Sequence, residues 1–257
     1  MRAGSGWRGL DPAPFVAFCV VFCLILCLPA VLNDSDTLWL IRAGEWILDH
    51  GAIPHADPFG YTTGGLRWYA HEWGAQVMLA LVWRAGGMTG VMVLTAAAIG
   101  STAALLLYRM RAFLPDRYAT LGLFVALSNA AGAMLARPHV LSWPFLCIWC
   151  GGLLAARARK AAPSRWLIVA LVPWVNLHGS FPVGLVLAGA LAVEALVEPG
   201  ADRPRVLRDW GVFLAMSGIA CLANPDFVAG ALFPLHMLSL TAVQWTGDWG
   251  PMNFSQM

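Results

Sequence analysis

Two carboxylates, Asp34 and Asp36, stand one residue apart in Asn33-Asp34-Ser35-Asp36, directly after a long apolar run. Acids in that position can take a proton from a hydroxyl group or give one to a leaving group. The same residue types also cap helix N-termini, because their side-chain oxygens accept from otherwise unpaired backbone N–H groups. Both readings stand for this pair. Four further polar groups have comparable chemistry: His71-Glu72, Arg137-Pro138-His139, Asn176-Leu177-His178 and the tail Trp249 to Phe254. Imidazoles titrate near neutrality, and a guanidinium binds anions such as phosphate. Together these residues suit acid/base chemistry on a lipid-linked anionic substrate. His55-Ala56-Asp57 holds ligand-capable types, but a spacing of two between prolines is not a recognised metal site, and no metal ligand set is assigned. Cys147 and Cys150 have redox spacing inside an apolar run, where packing is the expected role.

The elements that position these residues are apolar. Hydrophobic residues make up 59% of the chain and charged ones 12%, with mean hydropathy +0.67. Soluble domains carry roughly twice that charged fraction. The expected fold is an all-α polytopic membrane protein, a single domain over 1–257 with about seven to eight apolar segments. No basic stripe suggests nucleic acid; the expected surroundings are membrane lipid. A first span is expected over 14–32 and an extracytoplasmic loop over 33–73. A multi-span bundle follows over 74–223, then a C-terminal segment, 224–257, that reads as truncated.

Within the loop, 36–50 has the spacing of an amphipathic helix lying along the interface, with Arg42, Glu45 and Asp49 on one face. Gly51 stands where a C-cap glycine is expected. A short helix over 74–84 precedes a span over 88–108. Further spans are expected over 118–135, 140–156 and 210–222, and the 166–198 run breaks into two segments at 176–179. The run 227–243 reads as a span or as a surface pair split at Pro234.

Lys and Arg residues stay on the cytoplasmic side of short loops. Most of the sixteen fall at the N-terminus and in 109–117, 157–165 and 203–208. Placing these inside puts the N-terminus in the cytoplasm. All six His residues then collect with Asp34, Asp36 and Glu72 on the opposite, periplasmic side.

The order of a span, an acidic pair, a helix with Trp39, Arg42 and Gly44, then Gly51-Ala52-Ile53-Pro54, Asp57-Pro58-Phe59 and His71-Glu72-Trp73 resembles the first extracytoplasmic loop of the GT-C glycosyltransferase superfamily. That group includes protein O-mannosyltransferases and enzymes that glycosylate lipid A or cell-surface polymers. The later motifs resemble a branch of bacterial membrane proteins without an established substrate. The resemblance implies a bacterial inner-membrane enzyme that moves a sugar from a polyprenyl-phosphate donor to a periplasmic acceptor. It implies that Asp36, or else Asp34, acts as general base or helps hold a divalent metal. It also implies that Arg137, His139 and His178, with His71 and Glu72, bind the lipid phosphate. A transporter built on broken helices, and a non-catalytic or truncated subunit, are the alternatives.

Overall fold

The apolar runs and their punctuation give helices throughout. A computed structural model describes residues 11–62 and 64–239; the Trp249 to Phe254 motif and Arg2 and Arg8 lie outside them. Helix accounts for 74% of the structure. Among the described residues there is no strand, only one isolated antiparallel bridge between Ala56 and Arg67. The helices are α1 (Ala13–Leu26), α2 (Asp36–His50), α3 (Trp73–Met110), α4 (Asp116–Ala130), α5 (Pro138–Ala158), α6 (Leu167–Leu177), α7 (Phe181–Val197), α8 (Arg203–Ala220) and α9 (Phe227–Leu238).

α2 has the bounds its sequence predicts. Gly51 ends it in the left-handed conformation, φ 61°, and its N–H donates to the Ile47 carbonyl. The helix does not merely rest on a surface, however. Leu40, Ile41 and Ile47 are buried, and Gly44 lets α2 meet α3 backbone to backbone. A Cβ at Gly44 would stand 1.9 Å from the Gln76 carbonyl oxygen.

α3 is two arms rather than one rod. Gly86 (φ −152°, ψ 16°) and Gly87 (φ 58°, ψ −144°) leave helical geometry, and the second of these conformations is open to glycine alone. A Cβ on Gly90 would stand 2.1 Å from the Val82 carbonyl oxygen. In an unbroken helix those residues would be about 12 Å apart along the axis, so the arms fold back on each other. This matches the short helix and following apolar run read from the sequence.

The helices alternate between two ends of the bundle. Asp11 at the start of α1 pairs with Arg111 after α3, whereas Ile25 near the other end of α1 packs with Met92. Arg157 at the end of α5 pairs with Glu194 and Glu198 at the end of α7. At the opposite end, Asn176 in the last turn of α6 donates to the Ala223 carbonyl after α8. Asp226, before α9, pairs with His55 at 3.4 Å and lies 3.7 Å from Arg67. The basic loops therefore share one end and the acid and imidazole motifs the other. α9 joins the latter end, through Phe233 against Tyr69 and His71.

The largest core joins α5 to α8 around Trp149, Leu171, Trp174 and Phe213. The Trp149 indole N–H donates to the Gly184 carbonyl at 2.8 Å. Outward faces are apolar too, including Phe15, Val20 and Leu24 on α1, Leu121 and Phe124 on α4, and Val183, Val186 and Val193 on α7. Cys19, Cys23 and Cys27 recur every four residues along α1 and its cap, a spacing that predicts a packed helix face, but Cys23 and Cys27 are exposed; all six cysteines are free.

Among the described residues two helices, α3 and α5, are long and apolar enough to cross a membrane. Other apolar runs give shorter helices, because the sequence runs include irregular flanks. The expected 14–32 span ends as helix at Leu26 and turns through a 3-10 segment at Pro29–Leu32.

Candidate functional site

Asp34 does what the capping reading requires, and more. Its Oδ1 accepts the backbone N–H of Asp36 at 2.9 Å at the start of α2. Arg137, 103 residues further on, grips the same carboxylate. Its Nε–H bonds Oδ2, and its Nη2 reaches Oδ1 at 2.9 Å. The same Nη2 also lies 2.9 Å from Asp36 Oδ2.

Local structure explains the meeting. A residue before proline avoids the helical region, and Arg137, ahead of Pro138, is extended at φ −120° and ψ 158°. The neighbouring backbone is stitched to the first loop. Ala136 N–H donates to the Val31 carbonyl at 2.9 Å, and the buried Thr37 hydroxyl donates to the Ala136 carbonyl at 3.2 Å.

Only 1% of the Asp34 side chain is exposed, against 24% for Arg137 and 45% for Asp36. Burial alone would raise the Asp34 pKa. The Arg137 hydrogen bonds, the Asp36 N–H and the Arg137 charge outweigh it and hold Asp34 below the ordinary carboxylate value. Asp34 is thus a fixed anion that orients Arg137, while Asp36 keeps access to solvent. With a guanidinium between them, the two acids do not form a cation site. Among the described residues no three His, Cys, Asp or Glu side chains are arranged to hold a metal ion.

Glu72 is the second centre. It precedes α3, and its side chain caps no backbone N–H there. Its Oε1 lies 3.7 Å from both His71 Nε2 and His178 Nε2. Burial pushes its pKa up to about 7, opposed by the Arg137 charge and reinforced by Asp36. This couples Glu72 to the first cluster.

The two imidazoles present opposite faces to Glu72. His178 Nδ1 accepts the Ser180 N–H at 3.2 Å, so the neutral ring carries its proton on Nε2, facing the carboxyl. His71 Nδ1 lies 3.2 Å from the Tyr69 carbonyl, an acceptor, so its proton is on Nδ1 and Nε2 offers a lone pair. Burial lowers the His71 pKa, with the Tyr69 carbonyl opposing. Burial, then the nearby His139 and His71, lowers that of His178 to about 3. Both rings are neutral at pH 7. His139 lies with its ring 5.9 Å from that of His178, and its Nε2 bonds the Ala133 carbonyl at 2.7 Å.

Beside this cluster an apolar cleft of about 620 Å³ runs between α3, α5 and α6, past Val77, Leu94, Ala97 and Phe145. Trp73 and Asn176 frame its mouth, the indole N–H donating to Asn176 Oδ1 at 2.6 Å. Each is sequence-adjacent to the polar cluster, Trp73 to Glu72 and Asn176 to Leu177-His178.

The seven residues predicted for the site, Asp34, Asp36, His71, Glu72, Arg137, His139 and His178, therefore gather at one end of the bundle. His55 and Asp57 do not join them. His55 pairs with Asp226, and Asp57 Oδ1 accepts the N–H groups of Phe59 and Gly60 in its own turn. Asp226, only 5% exposed, was missed; its sole signal is the Asn224-Pro225-Asp226 turn after a long apolar run. Comparison of the chain with protein-family models, curated proteins and solved structures finds no match.

Proposed function

We propose that this chain is a polytopic membrane glycosyltransferase that moves a sugar from a polyprenyl-phosphate donor to a cell-envelope acceptor. The observation that carries the reading is the convergence of four distant segments at one end of the bundle, close in sequence to Trp73 and Asn176, which line an apolar cleft. Those segments supply a solvent-accessible carboxylate, an oriented guanidinium and a buried acid that is half protonated near neutrality. An isoprenoid chain belongs in the cleft, and its phosphate belongs at the polar mouth.

The outward apolar faces of α1, α4 and α7 support immersion in lipid, since folded domains in water rarely expose large contiguous apolar surface. The basic loops at the opposite end support a bacterial inner-membrane orientation with the N-terminus in the cytoplasm and the site on the periplasmic side.

In the proposed reaction an acceptor hydroxyl oxygen bonds to the anomeric carbon as the bond from that carbon to the phosphate oxygen breaks. Asp36 takes the hydroxyl proton, and polyprenyl phosphate leaves with the bonding electrons. Arg137, held in place by Asp34, stabilises charge developing on the phosphate. Protonated Glu72 donates a hydrogen bond to the same oxygens. A single in-line step inverts the anomeric centre.

Native mass spectrometry of the protein in nanodiscs with a polyprenyl phosphate tests this. Saturable binding is expected in the wild type and in Asp36→Asn. It should be lost in Ala97→Trp, which fills the cleft, and in the His178→Ala, Arg137→Ala double variant. Binding no stronger than that of bulk phospholipid in the wild type would overturn the reading.

A further inference from the structure

A second cleft, of about 710 Å³, lies between the exposed face of α2 and the loop that follows it. We propose that it binds the sugar rings of a neutral saccharide, which on the transferase reading is the acceptor.

The floor is a helical stripe. Trp39, Arg42, Trp46, Asp49 and His50 fall at i, i+3, i+7, i+10 and i+11, one face of α2. Asp36 stands one turn before Trp39 on that face, so the stripe leads to the solvent-accessible carboxylate. The opposite wall is Phe59 and Trp68. Trp68 meets Trp39 edge-on, with ring centroids 5.9 Å apart at 85°, and Phe59 at 6.1 Å and 66°.

The wall is preorganised. Asp57 N–H donates to the Leu66 carbonyl at 2.8 Å, and Trp68 N–H to that of His55 at 3.0 Å. On the floor, Trp46 stacks on His50 at 4.1 Å, and Arg42 bonds Glu45 at 2.6 Å. Large rings remain accessible all the same: Trp39 is 41% exposed and Phe59 47%.

This mixture selects its ligand class. An aromatic face is electron-rich and attracts the polarised C–H groups on the flat side of a pyranose. Carboxylates of Glu45, Asp49 and Asp57 accept from hydroxyls, and Arg42 donates to them. An acyl chain gains nothing from those charged groups and strips their water. The arginines at the cleft are already engaged, Arg42 with Glu45 and Arg84 with Asp49, so a phosphorylated or acidic ligand meets carboxylates without gaining an unengaged counter-charge. A hydroxylated, uncharged ring uses both the apolar and the polar parts.

The test is saturation-transfer NMR on the full chain in nanodiscs, with cellobiose, maltose and lactose as neutral probes and digalacturonate as the anionic one. At least one neutral disaccharide should bind saturably, with transfer to its ring C–H protons and digalacturonate weaker. Trp39→Ala and Trp68→Ala should each weaken binding about tenfold or more, with melting behaviour unchanged for the exposed Trp39. The proposal is overturned if no neutral disaccharide binds, or if both variants bind as the wild type does. It is equally overturned if brominated lipid quenches the emission that Trp39→Phe removes, since the cleft would then lie in lipid. Polyprenyl-phosphate binding is read separately, so loss of one result leaves the other intact.

Discussion

The two ends of the bundle both carry arginine–carboxylate clusters, and they differ in what surrounds them. At the basic end, Arg157 reaches Glu194 and Glu198, and Lys160, 76% exposed, reaches Glu198 at 2.7 Å. Arg157 is only 13% exposed, but its partners Glu194 and Glu198 and the neighbouring Lys160 keep contact with water, and Lys160 and then Arg157 hold Glu198 below the ordinary carboxylate value. At the other end, Arg137 holds an Asp34 that has almost no contact with water, next to a Glu72 whose proton is retained by burial. Exposed ion pairs exchange one good solvation for another and contribute little. A buried pair is different, because losing one partner strands the other without water. The same residue types therefore fasten loops at one end and set protonation at the other.

The comparison breaks most directly at Arg137. Arg137→Ala leaves the Asp34 carboxylate buried alone and should cost about 3–5 kcal/mol of stability, read from denaturation of the protein in detergent. Asp34→Asn combined with Arg137→Gln removes both charges and should recover part of that loss. If Arg137→Ala melts like wild type, the two ends are energetically alike and the comparison fails.

Glu72→Gln sharpens the contrast through pH. The Glu72 pKa rises from 4.5 to about 7 on folding, so the folded chain holds a proton that the unfolded chain releases. Its stabilising contribution is complete below pH 4.5 and disappears as pH rises to about 7. The amide variant should lack this decline and be more stable at pH 8 by about 3 kcal/mol, at 1.36 kcal/mol per pKa unit. His178 works in the opposite sense. Its pKa falls from 6.5 to about 3, so the contribution of its neutral form is complete above 6.5 and is lost as pH falls toward 3. A Glu72→Gln stability profile parallel to that of wild type between pH 4.5 and 7 would refute the assignment.

The smallest effect is expected at the basic end. Lys160→Ala should leave the melting temperature unchanged at physiological salt, as for screened surface pairs. A clear loss there would mean that this cluster is also a structural anchor.

Much of this was legible in the residues themselves. The α2 bounds follow from amphipathic spacing and Gly51, and the turn in α3 follows from Gly86-Gly87 between apolar runs. The end at which each motif falls follows from the basic loops. What the sequence did not disclose are the relations set by tertiary packing. The resemblance puts Asp36 ahead of Asp34 as the reacting acid, but nothing in the sequence shows that Arg137 arrives to hold Asp34 as a buried anion while Asp36 stays accessible. Glu72 read as one of several phosphate-binding candidates, since nothing local reveals its burial beside His71 and His178. Helix lengths were overstated because hydropathy does not register where Pro29 ends α1. The second cleft was hidden for a similar reason: the spacing of Trp39 and Trp46 is visible, but their apposition to Phe59 and Trp68 depends on how the loop folds back.

The stitch between Val31, Thr37 and Ala136 has a consequence for how the protein is made. Asp34 leaves the ribosome 103 residues ahead of its partner, an interval of about 5–20 s at elongation rates of about 5–20 residues per second. Through that time α1 to α4 exist without the guanidinium that balances their most buried carboxylate. The first loop therefore completes its final shape only once the start of α5 has been made, while the Arg157 cluster at the opposite end waits longer still, for Glu194 and Glu198.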